Sequence, residues 1–393
     1  MTSQAAAATV HNYSDAARPR AEAGPRRGET GVATFPKVLR RRLDGLFADQ
    51  QLSPKADGAM WLKIGFGFSV FAASWAAIYL AHPANWLFVS LYVLGGLAQT
   101  FLLLNIAHDS NHGAISSSQA VNKSLNYVFD LCGISSYMWR ILHHRGHHAC
   151  INVHGEDDAL TGRGLLRFTP HEQYVPIHRF QHIYGLVLYA FFSLDYVFVR
   201  DFECFFFPSH DYLRIKHPMR EYLTLIAGKL FYVTYMLVLP VAFLHKSLWL
   251  VGAAFVLSHL LIGLSVALVF QTSHTVDDTY FPSARGEFDH GIYHIFATTA
   301  DYATRNPLVD FLTGGLNHHI AHHLCPFVCH THYPKITRIV RETAAEFNIP
   351  YREHRTMTKA IWHHLVLLKQ LGTEASSSPL SSDGAACPQP FRR

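Results

Sequence analysis

The stretch WLFVSLYVLGGLAQTFLLLNIAHDSNH, residues 86–112, is the most informative part of the sequence for the architecture. Its apolar part, residues 86–107, is long enough to cross a bilayer, which takes about 20 apolar residues. It runs directly into His108 and His112, two histidines four positions apart. Because residues four apart share one face of a helix, a pair of imidazoles is expected where the chain leaves the membrane.

Three further stretches have spanning length, namely 64–81, 222–244 and 248–270. Short joins at 82–85 and 245–247 connect the four stretches in two pairs, so we expect two antiparallel helical hairpins. Only 16% of the chain is charged and 49% is apolar, whereas a typical soluble domain is about 25% charged. The sequence therefore predicts an all-α integral membrane protein with four transmembrane helices and excludes a nucleic-acid-wrapping or disordered chain.

The distribution of positive charge predicts the orientation. Of 33 Lys and Arg residues, the two short joins contain only Lys246. The positive-inside rule then places both termini and residues 108–221 in the cytosol, facing away from the lumen or periplasm. Lys63 and Lys229 fall near the cytosolic ends of their helices and are expected to snorkel to the interface. The expected location is a bacterial inner membrane or the endoplasmic reticulum.

The rest of the chain divides by composition. We expect a flexible basic N-terminal segment at 1–58 without a secretory signal, a membrane domain at 59–350, a C-terminal helix at 351–371 and a disordered tail at 372–393. The stretches 125–139 and 184–207 are apolar but carry charges, which favours helices lying on the membrane surface. Six cysteines at irregular spacing do not make a disulfide scaffold.

The chain contains 28 histidines, and several recur in compact groups. After His108 and His112, the predicted cytosolic loop carries one HxxHH group, and a second follows the fourth apolar stretch. A single histidine, His274, directly follows that stretch. The two HxxHH groups are His144, His147, His148 and His319, His322, His323.

All nine histidines fall on the same predicted face of the membrane, in a cytosolic helical cap. Nine imidazoles exceed the four ligands of one tetrahedral zinc and suit two metal ions with open positions. Imidazole binds Fe, Zn, Cu and Ni, so the residues alone do not select the metal. His143 and His318 flank the groups as candidate supporting residues. His259 lies inside a span, where a packing role competes with a functional one. Cys325 and Cys329 are expected to be reduced packing residues.

At these groups the sequence resembles the membrane fatty-acid desaturase family, whose three histidine boxes read HDxxH, HxxHH and [HQ]xxHH. The surrounding residues resemble the front-end and linoleoyl-type acyl desaturase branch. The resemblance extends over about residues 55 to 350. It rests on Trp139-Arg140 before the second box, His148 to Asn152 after it, Asp157-Asp158, the FQTSH sequence ending at His274, and the stretches 298–301 and 312–317.

The resemblance implies a dimetal site of two non-haem irons, with O2 as co-substrate and a C=C double bond as the product in a fatty acyl chain. The implied iron ligands are His108, His112, His144, His147, His148, His274, His319, His322 and His323. Five residues are candidates to orient the imidazoles through hydrogen bonds: Asp109, Asn152, Asp157, Asp158 and Asn317.

The sequence departs from the branch pattern at two positions of the third box. His319 stands where front-end enzymes usually carry Gln, and Ala321 stands where they often carry Glu. The sequence contains no His-Pro-Gly-Gly haem motif, no GxGxxG and no C-x2-C run. We therefore expect electrons from a separate protein of the ferredoxin or cytochrome b5 type.

Three other functions compete with desaturation. A hydroxylase or ketolase of the same histidine-box superfamily, acting on a lipid, carotenoid or specialised-metabolite chain, would share the metal site. A metal transporter predicts ionisable residues within the spans, where only His259 qualifies clearly. A non-catalytic lipid receptor would have no need of intact boxes.

Overall fold

The computed structural model describes residues 34–49, 51–288 and 290–373. Four helical segments in this part of the chain have the length and apolarity to cross a membrane: Gly58–Ala81, Asn85–Asn111, Met219–Leu244 and Leu248–His274. Each contains one of the predicted apolar stretches. The prediction of a mostly helical protein with four candidate spans is confirmed.

The α-helices are α1 Phe35–Asp49, α2 Gly58–Ala81, α3 Asn85–Leu102, α4 His108–Asn111, α5 Gln119–Asn126, α6 Val128–Leu131, α7 Ser136–Ile141, α8 Gln181–Ala190, α9 Phe192–Asp195, α10 Asp201–Phe206, α11 Met219–Val233, α12 Leu239–Leu244, α13 Leu248–His274, α14 Gly291–Thr298, α15 Pro307–Thr313, α16 His319–Leu324, α17 Tyr333–Glu346 and α18 Met357–Leu371. Segments of π-helix occupy Leu103–Ala107, Leu142–His147, Tyr196–Arg200 and Thr234–Val238. Turns of 3-10 helix occupy Asp158–Leu160, Pro176–Phe180, Asp211–Leu213 and His330–His332. Two short strands, β1 Asp301–Tyr302 and β2 Glu353–His354, pair in parallel with Asp301 opposite Glu353.

Local capping signals fix the ends of the long helices. The Asp57 carboxylate accepts a hydrogen bond from the Met60 backbone N–H at 2.9 Å, and the Ser247 hydroxyl accepts one from Leu250 at 3.2 Å. Both are ordinary N-cap contacts. His82 and His245 adopt left-handed backbone conformations at the ends of α2 and α12. The joins at 82–84 and 245–247 therefore begin where the helical hydrogen bonding stops.

The segment Asn85–Asn111 is the most buried of the four candidate spans. α3 packs against both α2 and α13, and Gly96 lies against Ser258 of α13. Small residues at such crossings let two helix backbones approach closely. The helix that carries the first histidine box is thereby held at the centre of the molecule.

Lys63 and Lys229, which were expected to snorkel to the interface, each contact polar groups of the protein itself. Lys229 Nζ donates to an Asp201 carboxylate oxygen and to the Gly133 and Val197 carbonyls, each at 2.6 Å. Lys63 Nζ lies 2.8 Å from Nε2 of His330. A buried ammonium is costly unless it is paired, and here each finds polar partners inside the fold.

The two apolar stretches with charges are helical but not continuous. The first, 125–139, is divided among α5, α6 and α7, and Gly133, which has a left-handed φ of 79°, lies between α6 and α7. The second forms Pro176–Ala190 and Phe192–Phe206, which together have spanning length but are bent by 56°. Both stretches therefore form shorter helical pieces, and their position at the membrane surface remains a prediction.

The end of the predicted N-terminal segment is a packed helix. Phe35, Leu39 and Leu43 of α1 are buried in one cluster with Ile336 and Val340 of α17. The expected flexibility therefore does not hold for residues 35–49, because this apolar face finds a partner. Residues 1–33 and 374–393 lie outside the described part, and α18 lies within the predicted C-terminal helix at 351–371.

Alanine at Gly263 is expected to lower stability. A Cβ atom there would collide with the Ala190 backbone carbonyl, which cannot move as a side-chain tip can. Overpacking of this kind costs about 1–3 kcal/mol. We expect Gly263→Ala to lower the midpoint of thermal unfolding in detergent. Gly252→Ala on the same helix is the control, because an added Cβ there would meet no other part of the protein within 4 Å; equal midpoints would contradict the prediction.

Candidate metal centre

Four histidines from three parts of the chain form a first group. The ring nitrogens of His108, His112, His143 and His322 lie within 4.8 Å of one another. Nε2 of His143 is 2.9 Å from Nε2 of His112. The π-helical segment Leu103–Ala107 leads directly into α4, which presents His108 at its first residue.

A second group of four lies beside the first. The ring nitrogens of His147, His274, His319 and His323 also lie within 4.8 Å of one another, and all four residues are buried. Nε2 of His274 is 3.1 Å from Nε2 of His147 and 3.1 Å from Nε2 of His323. The last residue of α13 thus meets the second and third histidine boxes.

His148 joins the two groups. Its Nε2 atom is 3.1 Å from Nε2 of His143 and 3.0 Å from Nε2 of His322, both in the first group. Its ring nitrogen also comes within 4.8 Å of His323 in the second. The arrangement is therefore two adjacent ligand sets with a shared histidine between them.

Hydrogen bonds at Nδ1 determine which ring nitrogen carries the proton. His147 Nδ1 lies 3.1 Å from an Asp157 carboxylate oxygen, His274 Nδ1 lies 3.2 Å from the Thr298 carbonyl oxygen, and His319 Nδ1 lies 2.8 Å from the Leu316 carbonyl oxygen. A carbonyl or an ionised carboxylate can only accept. Nδ1 is therefore the donor in each ring, and Nε2 carries a lone pair.

The lone pairs of His147 and His274 face each other across 3.1 Å. Two acceptors cannot bond to one another, and a metal ion that accepts both lone pairs would stabilise this contact. His319 Nε2 and both ring nitrogens of His108 are buried without a hydrogen-bond partner among the described residues. The donor set therefore fits metal ions bound by neutral imidazole nitrogen.

Burial keeps the cluster neutral. Desolvation and neighbouring histidines lower the pKa of His148, His322 and His323 well below the usual value. Desolvation likewise lowers the pKa of His319 to about 3. Since only the neutral imidazole is a ligand, these rings are ready to bind a metal ion at neutral pH.

In the second box, the nitrogens that lie close enough to share an ion differ from the predicted ligand set, which remains a prediction. His143, and not His144, belongs to the first group; His144 Nε2 instead lies 3.0 Å from the Asn111 side-chain amide nitrogen. The box lies in the π-helical segment Leu142–His147, where His148 N–H donates to the His143 carbonyl at 2.8 Å. With a bond between residues five apart, positions 143, 147 and 148 share one face.

Of the five candidate orienting residues, Asp157 contacts a histidine of the two groups through a hydrogen bond, to His147. Asp109 accepts from His330 and lies 3.7 Å from His108, beyond hydrogen-bond distance. Asn152 bonds to the backbone carbonyl of His274 in the second group, not to a ring, and the other two bond elsewhere. Asn152 donates to the His274, Tyr280 and Thr298 carbonyls, Asp158 pairs with Arg200, and Asn317 contacts Thr313 and Asp310.

Several orienting contacts were not anticipated from the sequence. The Thr298 and Leu316 contacts come from backbone carbonyls, which no residue type identifies. Tyr333 places its hydroxyl 3.2 Å from His322 Nδ1. His318 lies outside both groups, between Thr337 and Asp310. His259 packs between the hydroxyls of Ser193 and Tyr232.

A cavity of about 380 Å³ opens onto the metal centre. Its wall is mainly aliphatic and aromatic, and His108, His143, His147 and His274 also line it. The size falls within the range of clefts that hold small ligands. Ion-paired side chains complete the wall: Arg200 with Asp158, and Arg163 with Asp195. Apolar lining residues include Leu103, Trp139, Leu188, Phe192, Ala267 and Phe270.

Comparison with known proteins gives a consistent result. The family model for "Fatty acid desaturase" matches residues 81–355. The sn-1 linoleoyl-lipid 6-desaturase of Synechocystis sp. is 32% identical over 349 residues, covering 86% of this chain and 95% of that protein. The enzyme of the same name from Arthrospira platensis is 31% identical, covering 86% and 92%. The acyl-lipid (8-3)-desaturase of Physcomitrium patens is 33% identical, covering 86% and 72%.

Proposed function

We propose that this chain uses O2 to introduce a C=C double bond into an acyl chain of a membrane lipid. The basis is that the chain belongs to the fatty acid desaturase family. Two hydrogens leave adjacent carbons of the acyl chain. O2 takes up these hydrogens together with two electrons and two protons, and two molecules of water form. The observation that carries the proposal is the pair of buried histidine groups at the wall of an apolar cavity.

Two iron ions are the proposed cofactors. His108, His112, His143 and His322 would hold one, and His147, His274, His319 and His323 the other, with His148 between them. His143 replaces His144 in this ligand set. The irons would supply the activation of O2 that breaking an unactivated C–H bond requires, which no protein side chain provides.

The chain's own residues bind, orient and exclude water. The apolar cavity wall would hold the acyl chain against the histidine groups and keep bulk water out. The Asp157 carboxylate accepts the Nδ1 proton of His147 and thereby fixes that ring. Backbone carbonyls do the same for His274 and His319. Such outer contacts orient ligands and raise their basicity.

The proposed substrate class is an acyl chain esterified in a lipid. The named relatives from Synechocystis sp. and Physcomitrium patens are linoleoyl-lipid and acyl-lipid desaturases. The cavity is lined by residues of α13 such as Ala267 and Phe270, and α13 is one of the candidate spans. A lipid already in the bilayer could therefore reach it directly.

The topology and the electron donor complete the proposal. The four spans form two hairpins, and a helical cap carrying the metals faces the cytosol, as the positive-inside rule favours. The unit 59–350 is the membrane desaturase domain, and 351–371 is a C-terminal helix. Electrons come from a separate ferredoxin or cytochrome b5 type protein. Arg40 and Arg41 are exposed on α1 and offer positive charge to an acidic donor.

Metal content and product identity test the function together. We expect about two irons per detergent-purified chain and their loss in a His147→Ala/His322→Ala double variant that still inserts into the membrane. His182→Ala, outside both groups, is the control and should keep its iron. Lipid profiling with a supplied electron donor should show a new double bond without added oxygen.

Two results would contradict the proposal. A well-folded wild-type chain that holds no iron, or holds only zinc, would exclude the oxygen-activating centre. A product with an inserted hydroxyl or keto group would replace desaturation by hydroxylation or ketolation.

A further inference from the structure

Three side chains from separate parts of the sequence form a continuous chain of polar contacts beside the first histidine group. Lys63 Nζ of α2 lies 2.8 Å from Nε2 of His330. His330 Nδ1 lies 2.8 Å from Oδ2 of Asp109, and the His330 backbone N–H donates to the same oxygen at 3.0 Å. His330 and Asp109 are buried, with 3% and 1% of their side chains exposed.

The direction of these hydrogen bonds is fixed by chemistry. A lysine ammonium can only donate, so His330 Nε2 must accept. His330 Nδ1 then carries the ring proton and donates it to the Asp109 carboxylate. Lys63 is held from the other side by the Phe311 ring, whose centroid is 5.1 Å from Nζ. The Lys63–His330–Asp109 chain therefore has one arrangement.

The same region could be mistaken for a third metal site. Asp109, Cys329 and His330 lie close enough to hold an ion. However, Nε2 of His330 already accepts from the Lys63 ammonium, and Nδ1 is committed to Asp109. The imidazole has no lone pair left for a metal, and the lysine supplies the positive charge. We assign this region a supporting role.

This series of polar contacts ends beside His108, a candidate metal ligand. Asp109 Oδ1 lies 3.7 Å from Nδ1 of His108, a residue of the first histidine group. Neither ring nitrogen of His108 has a hydrogen-bond partner among the described residues. The carboxylate is thus the anion placed beside Nδ1, while Nε2 remains free for an ion. The second group has its own carboxylate, Asp157, hydrogen-bonded to His147.

We propose that Lys63 and His330 are positioning residues of the metal centre, which hold the Asp109 carboxylate beside His108 and so orient that ring toward the ion of the first group. The inference rests on the proposed function, because it requires that the first group binds metal. It also gives the lysine in the first membrane-length helix a role in the site, which its place in the sequence does not reveal.

Metal titration of the full-length chain in detergent tests this inference, with cobalt(II) as the probe, followed by its absorption spectrum. Loss of an outer contact typically weakens metal binding by 10- to 100-fold. We expect Lys63→Met and His330→Leu each to lower the affinity for one of the two cobalt ions by roughly that factor. The affinity for the other cobalt ion should not change. His330→Gln, whose amide can both donate and accept, should restore part of the lost affinity.

Lys55→Met is the matched control. Lys55 Nζ donates to the Gly113 and Phe327 carbonyls in the same region but does not contact His330. The inference would be overturned if Lys63→Met and His330→Leu each bound both cobalt ions with the same affinities as wild type. The proposed function would then still stand. An equal loss of affinity for both cobalt ions would show that these residues have only a structural role, and it would also overturn the inference. A wild-type chain that binds no cobalt would contradict the proposed function itself.

Discussion

Alanine in place of His143 is expected to abolish desaturation, whereas alanine in place of the adjacent His144 is expected to leave most of it. His143 Nε2 lies 2.9 Å from His112 Nε2 and 3.1 Å from His148 Nε2, at the centre of the first group. Removing an outer contact costs up to about 100-fold, and removing a ligand should cost more. His144 contacts Asn111 and belongs to neither group.

The pair of variants is its own matched control, since both remove one histidine from the same π-helical segment. Product yield from membrane lipids and iron per purified chain are the two measurements. His143→Ala should lose product and iron together, and His144→Ala should keep iron and remain within severalfold of wild type. The opposite order would return His144 to the ligand set and exclude His143.

Phenylalanine at Ala267 is expected to block the acyl chain. Ala267 is buried on α13 and lines the cavity of about 380 Å³ together with Leu188 and Phe270. A benzyl group projecting into this space would compete with the substrate for volume. We expect turnover to fall by more than about tenfold while iron content stays at the wild-type value, since a well-packed apolar site tolerates added volume poorly.

Ala253→Phe is the control for this substitution. Ala253 lies on the same helix about four turns before Ala267, and it is exposed and does not line the cavity. Lipid profiling of both variants, with iron analysis on the same preparations, separates a blocked substrate from a damaged metal centre. Wild-type turnover by Ala267→Phe would show that the acyl chain does not pass this residue.

The membrane-length helices could be predicted from the sequence because long apolar stretches have few alternative structures. The stretch 248–270 and its observed helix Leu248–His274 share a start, at the Ser247 cap. The shorter stretch 125–139 was expected to form one helix, but the left-handed Gly133 interrupts it. Composition alone does not show where a helix stops. Helix existence was therefore easier to predict than helix continuity.

The sequence predicts that histidine groups exist, but it predicts less well which histidines belong to each group. Adjacent His143 and His144 give two possible boxes, HxxxHH and HxxHH, and an ordinary helical repeat does not decide between them. The structure places His143 in the group through a π-helical turn that lies outside the common spacing rules. The orienting carbonyls of Thr298 and Leu316 had no signal at all, since every residue carries a carbonyl.

The six-residue helix α16 contributes to both histidine groups, with His322 in the first and His319 and His323 in the second. During synthesis on the ribosome, this helix emerges after all four membrane-length segments. With the proposed ligands, the first site cannot be complete in a nascent chain that ends before residue 322, and the second cannot be complete in one that ends before residue 323. Metal loading is then a late event of biogenesis, which follows membrane insertion and fills both sites in the same window of time.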